Sequence, residues 1–186
     1  MNPLLALLAS TLVAAPAFAA TSVQPGVGAP ACFKREYSDE HMSRHPQQKL
    51  SSLFVMVTRD KWKGESPDPE LASPGADVVG EKDGVYYANP DAGCEYKANG
   101  ATRCAVECDG GAFDLKDRSD NVLFSVAKDY YFPLFREGTT AETAGKEDEL
   151  QLEASDKENA HYKLYQVPAR ECEAAIRRAK IGEWGC

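Results

Sequence analysis

The sequence predicts a mainly β protein, either a single antiparallel β-sandwich or a small β-barrel, braced by disulfides and with one short helix towards each end of the domain. Roughly seven to nine short stretches are apolar or alternate apolar and polar residues, and Gly, Pro, Asn and Asp separate them at regular spacing. The chain has 186 residues and six cysteines, an even number that is typical of disulfide-bonded exported domains. One domain is expected for this length, and we assign it to residues 32–186.

The overall charge limits the classes of partner. The chain carries 29 Asp and Glu against 21 Lys and Arg, which gives a formal net charge of −8. Nucleic acids and anionic membranes both attract clustered Lys and Arg, and the sequence has no basic stripe. The composition therefore argues against nucleic acid and anionic membrane surfaces as partners.

The N-terminus has the pattern of an export signal. Residues 4–15 form an apolar run that is too short for a membrane-spanning helix, and Pro16 ends it. Ala17 and Ala19 place small residues at the positions that a signal peptidase reads, so we predict a signal peptide over 1–19, with cleavage after Ala20 as the alternative. The sequence thus predicts a periplasmic or secreted protein without a membrane anchor.

The first half of the domain begins after a predicted linker over residues 20–31. A short helix is expected next, because Ser38 can cap its start and Pro46 stops it. The apolar stretch 50–58 predicts a strand that is at least half buried. Residues 63–80 are rich in Pro and Gly, which favours a long surface loop.

The second half reads as strands joined by turns. A turn at Asp83 and Gly84 leads into a strand over 85–88. A short C-terminal helix is predicted over 170–180, where apolar residues recur at helical spacing. The remaining predicted strands are 102–108, 112–115, 122–126, 130–135, 149–154 and 160–167.

One disulfide follows from hairpin geometry. Residues 97–101 fit a three-residue hairpin loop in which Gly100 adopts the left-handed conformation. That register places Cys94 directly across from Cys104, so we predict a bridge between them. Cys104 and Cys108 lie four residues apart on one predicted strand, roughly 13 Å, which is too far for a bridge.

The other cysteines are expected to tie the ends of the domain together. Cys32 opens the ordered chain and Cys172 follows the last predicted strand, so a bridge between them would join the two ends. Cys108 is then left with Cys186, the last residue of the sequence. Cys186 could equally stay free or join two chains, and the sequence leaves these alternatives open.

Two of the three histidines form the candidate metal site. His41 and His45 lie four apart on the predicted helix, so both can face the same way and share a metal ion. The competing interpretation is an exposed or capping pair beside Pro46. His161 falls in a predicted strand, where we expect a surface or packing role. A third ligand would have to come from Glu36, Asp39 or Glu40.

The sequence contains no motif for catalysis and no cofactor motif. Neither a nucleophile elbow nor a phosphate-binding glycine loop occurs, so we assign no catalytic residue and expect a non-enzymatic protein. Two acidic clusters are best interpreted as solvated charge: Asp114, Asp117 and Asp120, and Glu147, Asp148 and Glu149. Six aromatic residues could line a pocket but are expected to pack in the core: Tyr86, Tyr87, Tyr130, Tyr131, Phe132 and Phe135.

Two short motifs carry a resemblance. They are the segment Cys32-Phe33-Lys34-Arg35-Glu36-Tyr37, with His41 and His45-Pro46-Gln47 after it, and Cys104–Gly111 (CAVECDGG). In these the chain resembles a group of exported bacterial proteins of unknown function. The resemblance implies an extracytoplasmic β domain with structural cysteines, and it brings no catalytic residue with it.

Three functions are compatible with these features. The first is an exported, non-enzymatic domain of binding or structural type, whose ligand is a small molecule or a protein that the sequence does not name. The second is an inhibitor of a secreted enzyme, in which the acidic loop 142–149 would bind a basic partner. The third is a metal-binding protein that uses His41 and His45.

Overall fold

The computed structural model describes residues 22–59, 74–106, 111–140 and 142–179. The predicted signal peptide and the predicted Cys108–Cys186 pair lie outside these residues. The helices are α1 (Asp39–Arg44) and α2 (Ala169–Ala179). The strands are β1 (Ala31–Glu36), β2 (Ser52–Arg59), β3 (Pro74–Lys82), β4 (Val85–Tyr96), β5 (Ala101–Ala105), β6 (Ala112–Asp117), β7 (Val122–Val126), β8 (Tyr131–Arg136), β9 (Glu149–Glu153) and β10 (His161–Val167).

The protein is mainly β, and its sheet closes into a barrel. Eight strands follow one another in the order β3-β2-β1-β10-β7-β6-β5-β4, and β4 pairs with β3 to complete the ring. Every pairing in the ring is antiparallel. Of the two architectures that the strand pattern allowed, the structure is therefore the barrel.

The closure depends on the long strand β4. Its register against β3 shifts between Ala76 and Val78, and Asp91 opposite this shift has a φ of +59°. A bulge of this kind bends and twists a strand, which a small barrel needs at its corners. The Asp91 N–H donates to the Asp77 carboxylate at 3.0 Å and fixes the bend.

A hairpin made of β8 and β9 extends the sheet beyond the ring. It is attached through β4, where Tyr87 pairs with Arg136 and Ala88 with Phe135. The Phe132 ring of this hairpin lies edge-on to Phe113 of the barrel, with centroids 4.8 Å apart. The apolar face of the hairpin is therefore continuous with the core of the barrel.

The inside of the barrel is filled by side chains. Phe33, Phe113, Phe124, Leu115 and Leu164 point inward, and each is fully buried. They belong to one cluster of buried hydrophobic residues, as the interior residues of other small barrels do. None of the described helices is long and apolar enough to cross a membrane.

The segment before β1 packs onto the barrel as well. Val23 is completely buried within the core cluster. Its backbone N–H donates to the Asp117 carboxylate at 3.1 Å, from the end of β6. Part of the predicted linker over 20–31 thus makes core contacts.

Helix α2 covers the outside of the barrel over the first strands. The Cys32–Cys172 disulfide joins it to β1, and Ala175 and Ala179 pack against Val79 of β3. The surface-loop prediction for 63–80 is wrong for residues 74–80, which belong to β3. Because α2 lies on one face of β3 and the core on the other, the strand lacks the alternating polar pattern that identifies half-exposed strands.

Candidate functional site

Four exposed or half-buried side chains stack on one another beside α1. We call Arg35, Tyr37, His41 and His45 the ring column. The Arg35 guanidinium carbon lies 4.5 Å from the Tyr37 ring centroid. Tyr37 stacks on His41 at 4.5 Å between centroids, and His41 stacks on His45 at 4.3 Å. The column is therefore continuous from the end of β1 to the end of α1.

Local sequence sets the position of the column. Ser38 caps α1, since its hydroxyl accepts the His41 N–H at 3.2 Å, and the helical spacing of four residues brings His41 and His45 onto one face. Helix α1 is six residues long and buries none of them. Because so short a helix is marginal on its own, the Ser38 cap and the ring contacts are expected to stabilise it.

The charges around the column disfavour a positive charge on His41. Burial lowers the pKa of His41, and the neighbouring His45, Arg35 and Arg44 lower it further, whereas Glu158 opposes them. The His45 Nδ1 lies 3.7 Å from the Glu158 carboxylate. The Glu158 side chain thus lies beside His45, at the outer end of the column.

The column does not assemble the predicted metal centre. Within the described ranges, no group of three or more His, Cys, Asp or Glu side chains could hold a metal ion. Two of the proposed third ligands form ion pairs elsewhere, Glu36 with Lys34 at 2.7 Å and Glu40 with Arg44 at 3.0 Å. The structure brings His41 and His45 together as stacked rings instead.

A buried polar network lies under the column and anchors the chain after α1. The Asn159 side-chain oxygen accepts the Lys49 N–H at 2.7 Å and the Tyr162 hydroxyl at 3.2 Å. The Asn159 side-chain amide donates to the Gln47 carbonyl at 2.8 Å. Burial raises the pKa of Tyr162 far above its ordinary value, so the phenol stays protonated and can donate.

A second surface, which we call the outer groove, lies on the outside of the barrel across β5, β6 and β7. It has a volume of about 550 Å³. The strand residues that line it alternate along β5, β6 and β7 with inward-facing core residues, so their side chains share the outer face of the sheet. The groove is lined by Lys97, Ala98, Asn99, Ala101, Arg103, Asp114, Lys116, Leu123 and Ser125.

A cross-strand row that extends beyond the groove contains an acid, a serine and a histidine on neighbouring strands. Asp114 lies opposite Ser125, and Ser125 lies opposite His161, whose Nδ1 is 2.9 Å from the Ser125 Oγ. In a hydrolytic triad the histidine stands between the acid and the serine. Here Ser125 is the middle residue, and Asp114 is held by Arg103 through bonds of 2.5 and 2.9 Å. The row therefore lacks the order that serine activation requires.

The other residues singled out in the sequence do not meet in one place. Phe132 and Phe135 are buried, whereas Tyr130 and Tyr131 are exposed. The acidic residues are distributed over several contacts: Asp114 with Arg103, Asp117 with the Val23 N–H, Asp120 with Asn121, Asp148 with Arg136, and Glu149 with Gln151.

The groove residues were missed in the sequence because nothing marks them locally. Arg103, Lys116 and Ser125 read as ordinary outward positions of alternating strands. The one available signal was the alternation itself, which assigns all three to the outer face once the strands are known to be neighbours. No family model, no curated protein and no solved structure matches the chain.

Proposed function

We propose that this chain is an exported, non-enzymatic binding domain that contacts a protein partner through the ring column. The observation that carries the proposal is the stacking of four interaction-prone side chains on the surface of a barrel whose interior is filled. Because buried hydrophobic side chains occupy the interior, we place the binding surface on the outside of the barrel.

The composition of the column favours a protein partner. Tyr and Arg are enriched at the centres of protein interfaces, where a few side chains supply most of the binding energy. The stack also holds each ring in place before binding, with Tyr37, His41 and His45 at successive centroid distances of 4.5 and 4.3 Å. Side chains that are already ordered lose less conformational entropy on binding.

The remaining features fit a role outside the cytoplasm. Cys32–Cys172 and Cys94–Cys104 are disulfides, which persist in oxidising compartments. The signal-peptide pattern over 1–19 supports export in the same sense. The inhibitor alternative has less support, because Asp148 of its acidic loop is already bound within the protein. The Asp148 carboxylate pairs with Arg136 at 3.8 Å and accepts the Gly145 N–H at 3.2 Å.

The experiment that tests the proposal is affinity capture from the protein's own export compartment with immobilised chains. The double variant His41→Ala/His45→Ala removes two rings of the column, and Ala at position 41 is a good helix former within α1. Tyr130→Ala is the matched control, because Tyr130 is an exposed aromatic residue outside the column, with 53% of its surface accessible. A protein retained by the wild type and the control but lost from the double variant supports the proposal. Equal retention by all three chains overturns it.

A further inference from the structure

We infer that the outer groove binds a small organic anion, in which a carboxylate or phosphate group lies against Lys116 and an apolar body lies against Leu123. The inference rests on the groove alone and does not depend on the ring column. The groove has a volume of about 550 Å³. That volume is within the range of small-molecule sites.

The first argument is the local charge. The lining contains three cationic side chains, Lys97, Arg103 and Lys116, and one carboxylate, Asp114. Arg103 is paired with Asp114 and Lys97 with Glu95, so the charge of Lys116 is left over and the groove is locally positive. The whole chain carries −8, which is the opposite sign. A cationic cleft on an acidic protein concentrates small anions.

The second argument is which cation is available. Arg103 is bound to Asp114, and Lys97 forms an ion pair with Glu95. Lys116 lies between Ala101 and Leu123 in the sheet, so neither cross-strand neighbour has a charge. Its side chain is exposed, and across the described ranges of the chain it forms no ion pair. The Lys116 ammonium is therefore the group that an incoming anion would meet.

The third argument is the supply of neutral donors in the groove that contains Lys116. The Asn99 side-chain oxygen accepts the Ala101 N–H at 3.1 Å, which leaves the amide nitrogen of Asn99 to donate outward. The Ser125 hydroxyl lies on the same face, next to His161. A carboxylate or phosphate accepts several hydrogen bonds at once, and donors at fixed positions on a sheet can satisfy them.

The apolar part of the lining sets the other half of the ligand. Leu123, Ala98 and Ala101 line the same groove as the cations. A free inorganic ion would leave these side chains uncovered, whereas an anion with a ring or short chain would bury them. We therefore expect an organic anion to bind more tightly than its inorganic counterpart.

The test is an NMR titration of the ¹⁵N-labelled exported chain with benzoate, phenyl phosphate, inorganic phosphate and the neutral isostere benzamide. Benzoate or phenyl phosphate should shift amides of residues 97–101, 116 and 123–125 in a saturable way, at dissociation constants of about 1–10 mM. Inorganic phosphate should bind more weakly than phenyl phosphate. Benzamide should leave these amides in place.

Two lysine variants decide whether Lys116 is the anchor. Lys116→Gln should weaken the binding of the organic anions about five- to tenfold, since one charge-assisted hydrogen bond is lost. Lys128→Gln is the matched control, because Lys128 is an exposed lysine in the turn before β8. This variant should bind the organic anions as the wild type does. Unchanged binding by Lys116→Gln overturns the inference. So do equal shifts with benzamide, or the absence of shifts with both organic anions at about 20 mM.

Discussion

His41 of α1 and His45, which caps the C-terminus of that helix, stack face to face with ring centroids 4.3 Å apart, and the helix buries none of its own residues. Two imidazoles this close cannot both carry a positive charge without strong mutual repulsion. The contact with His45 is one of the causes that lower the pKa of His41.

The first prediction concerns the titration of His41. Burial and the nearby cations lower its pKa in the folded protein below the ordinary value of 6.5. The unfolded chain then binds the proton more readily, so this group's contribution to stability is complete above pH 6.5 and is lost as the pH falls from 6.5 towards the lowered pKa. We expect an NMR titration of the imidazole to give a pKa below 6.5. A value above 6.5 would contradict the assignment of the stack.

The second prediction concerns Val23, which lies in a segment expected from the sequence to be a linker. Val23 is fully buried, so Val23→Ala should lower the free energy of unfolding by about 1–3 kcal/mol. Gln24→Ala is the control, because Gln24 is exposed and its loss should change stability by less than about 0.5 kcal/mol. Urea unfolding of the two variants measures the difference. Equal stability of both variants would show that this segment does not pack on the barrel.

The third prediction concerns Asp117, which accepts the Val23 N–H. Burial raises the pKa of Asp117 above 3.8, although the bond from Val23 opposes the shift. Protonation of a group with a raised pKa favours the folded state, so its contribution to stability grows as the pH falls through the raised pKa towards 3.8. Asp117→Asn should remove this contribution. The free energy of unfolding, measured between about pH 3 and pH 7, should then gain less towards low pH in the variant than in the wild type. The other titrating groups are the same in both chains, so their effects cancel in the difference.

The fourth prediction compares the two disulfides. Cys32–Cys172 closes a loop of 140 residues and Cys94–Cys104 a loop of 10. In the chain-entropy model the first stabilises the fold by about 5 kcal/mol and the second by about 3 kcal/mol. Replacing both cysteines of a pair with Ala should therefore cost more for Cys32 and Cys172. A larger loss for the short loop, measured by chemical denaturation, would contradict this ranking.

The fifth prediction tests the close packing between the barrel and the β8–β9 hairpin. A Cβ atom on Gly80 would lie 2.7 Å from a methyl carbon of Leu50 and 3.1 Å from one of Leu134. Gly80→Ala should therefore destabilise the protein by about 1–3 kcal/mol through overpacking. Gly93→Ala is the matched control in the same sheet, because its nearest neighbour would be the Ala105 carbonyl oxygen at 3.9 Å. Equal losses would show that the interior has room at Gly80.

Local signals in the sequence were enough for some features. The turn at Gly100 determined the register that sets Cys94 opposite Cys104, and the structure has that register with Gly100 at a φ of +77°. The strand β3 was missed because its two faces are buried by different elements, one of which, α2, is about 90 residues away in the sequence. Short-range periodicity cannot report such contacts.

The candidate sites were predictable only in part, for the same reason. The spacing of His41 and His45 places them side by side. Arg35, however, joins the stack from a strand, and the Glu158 carboxylate approaches His45 from a distant turn. The same strand pattern is compatible with a sandwich and with a barrel, because the pairing of β3 with β4 that closes the barrel has no sequence signature of its own. The outer groove depends on which strands are neighbours, and topology decides that.

The most direct test of the central claim is site-specific photo-crosslinking in the protein's own export compartment. A photoreactive amino acid at position 45 stands at the outer end of the ring column, whereas the same group at position 130 stands outside it. We predict a discrete protein adduct from position 45 that is absent from position 130 and that disappears when His41 is replaced by Ala. No adduct from position 45, or the same adduct from both positions, would contradict binding through the column.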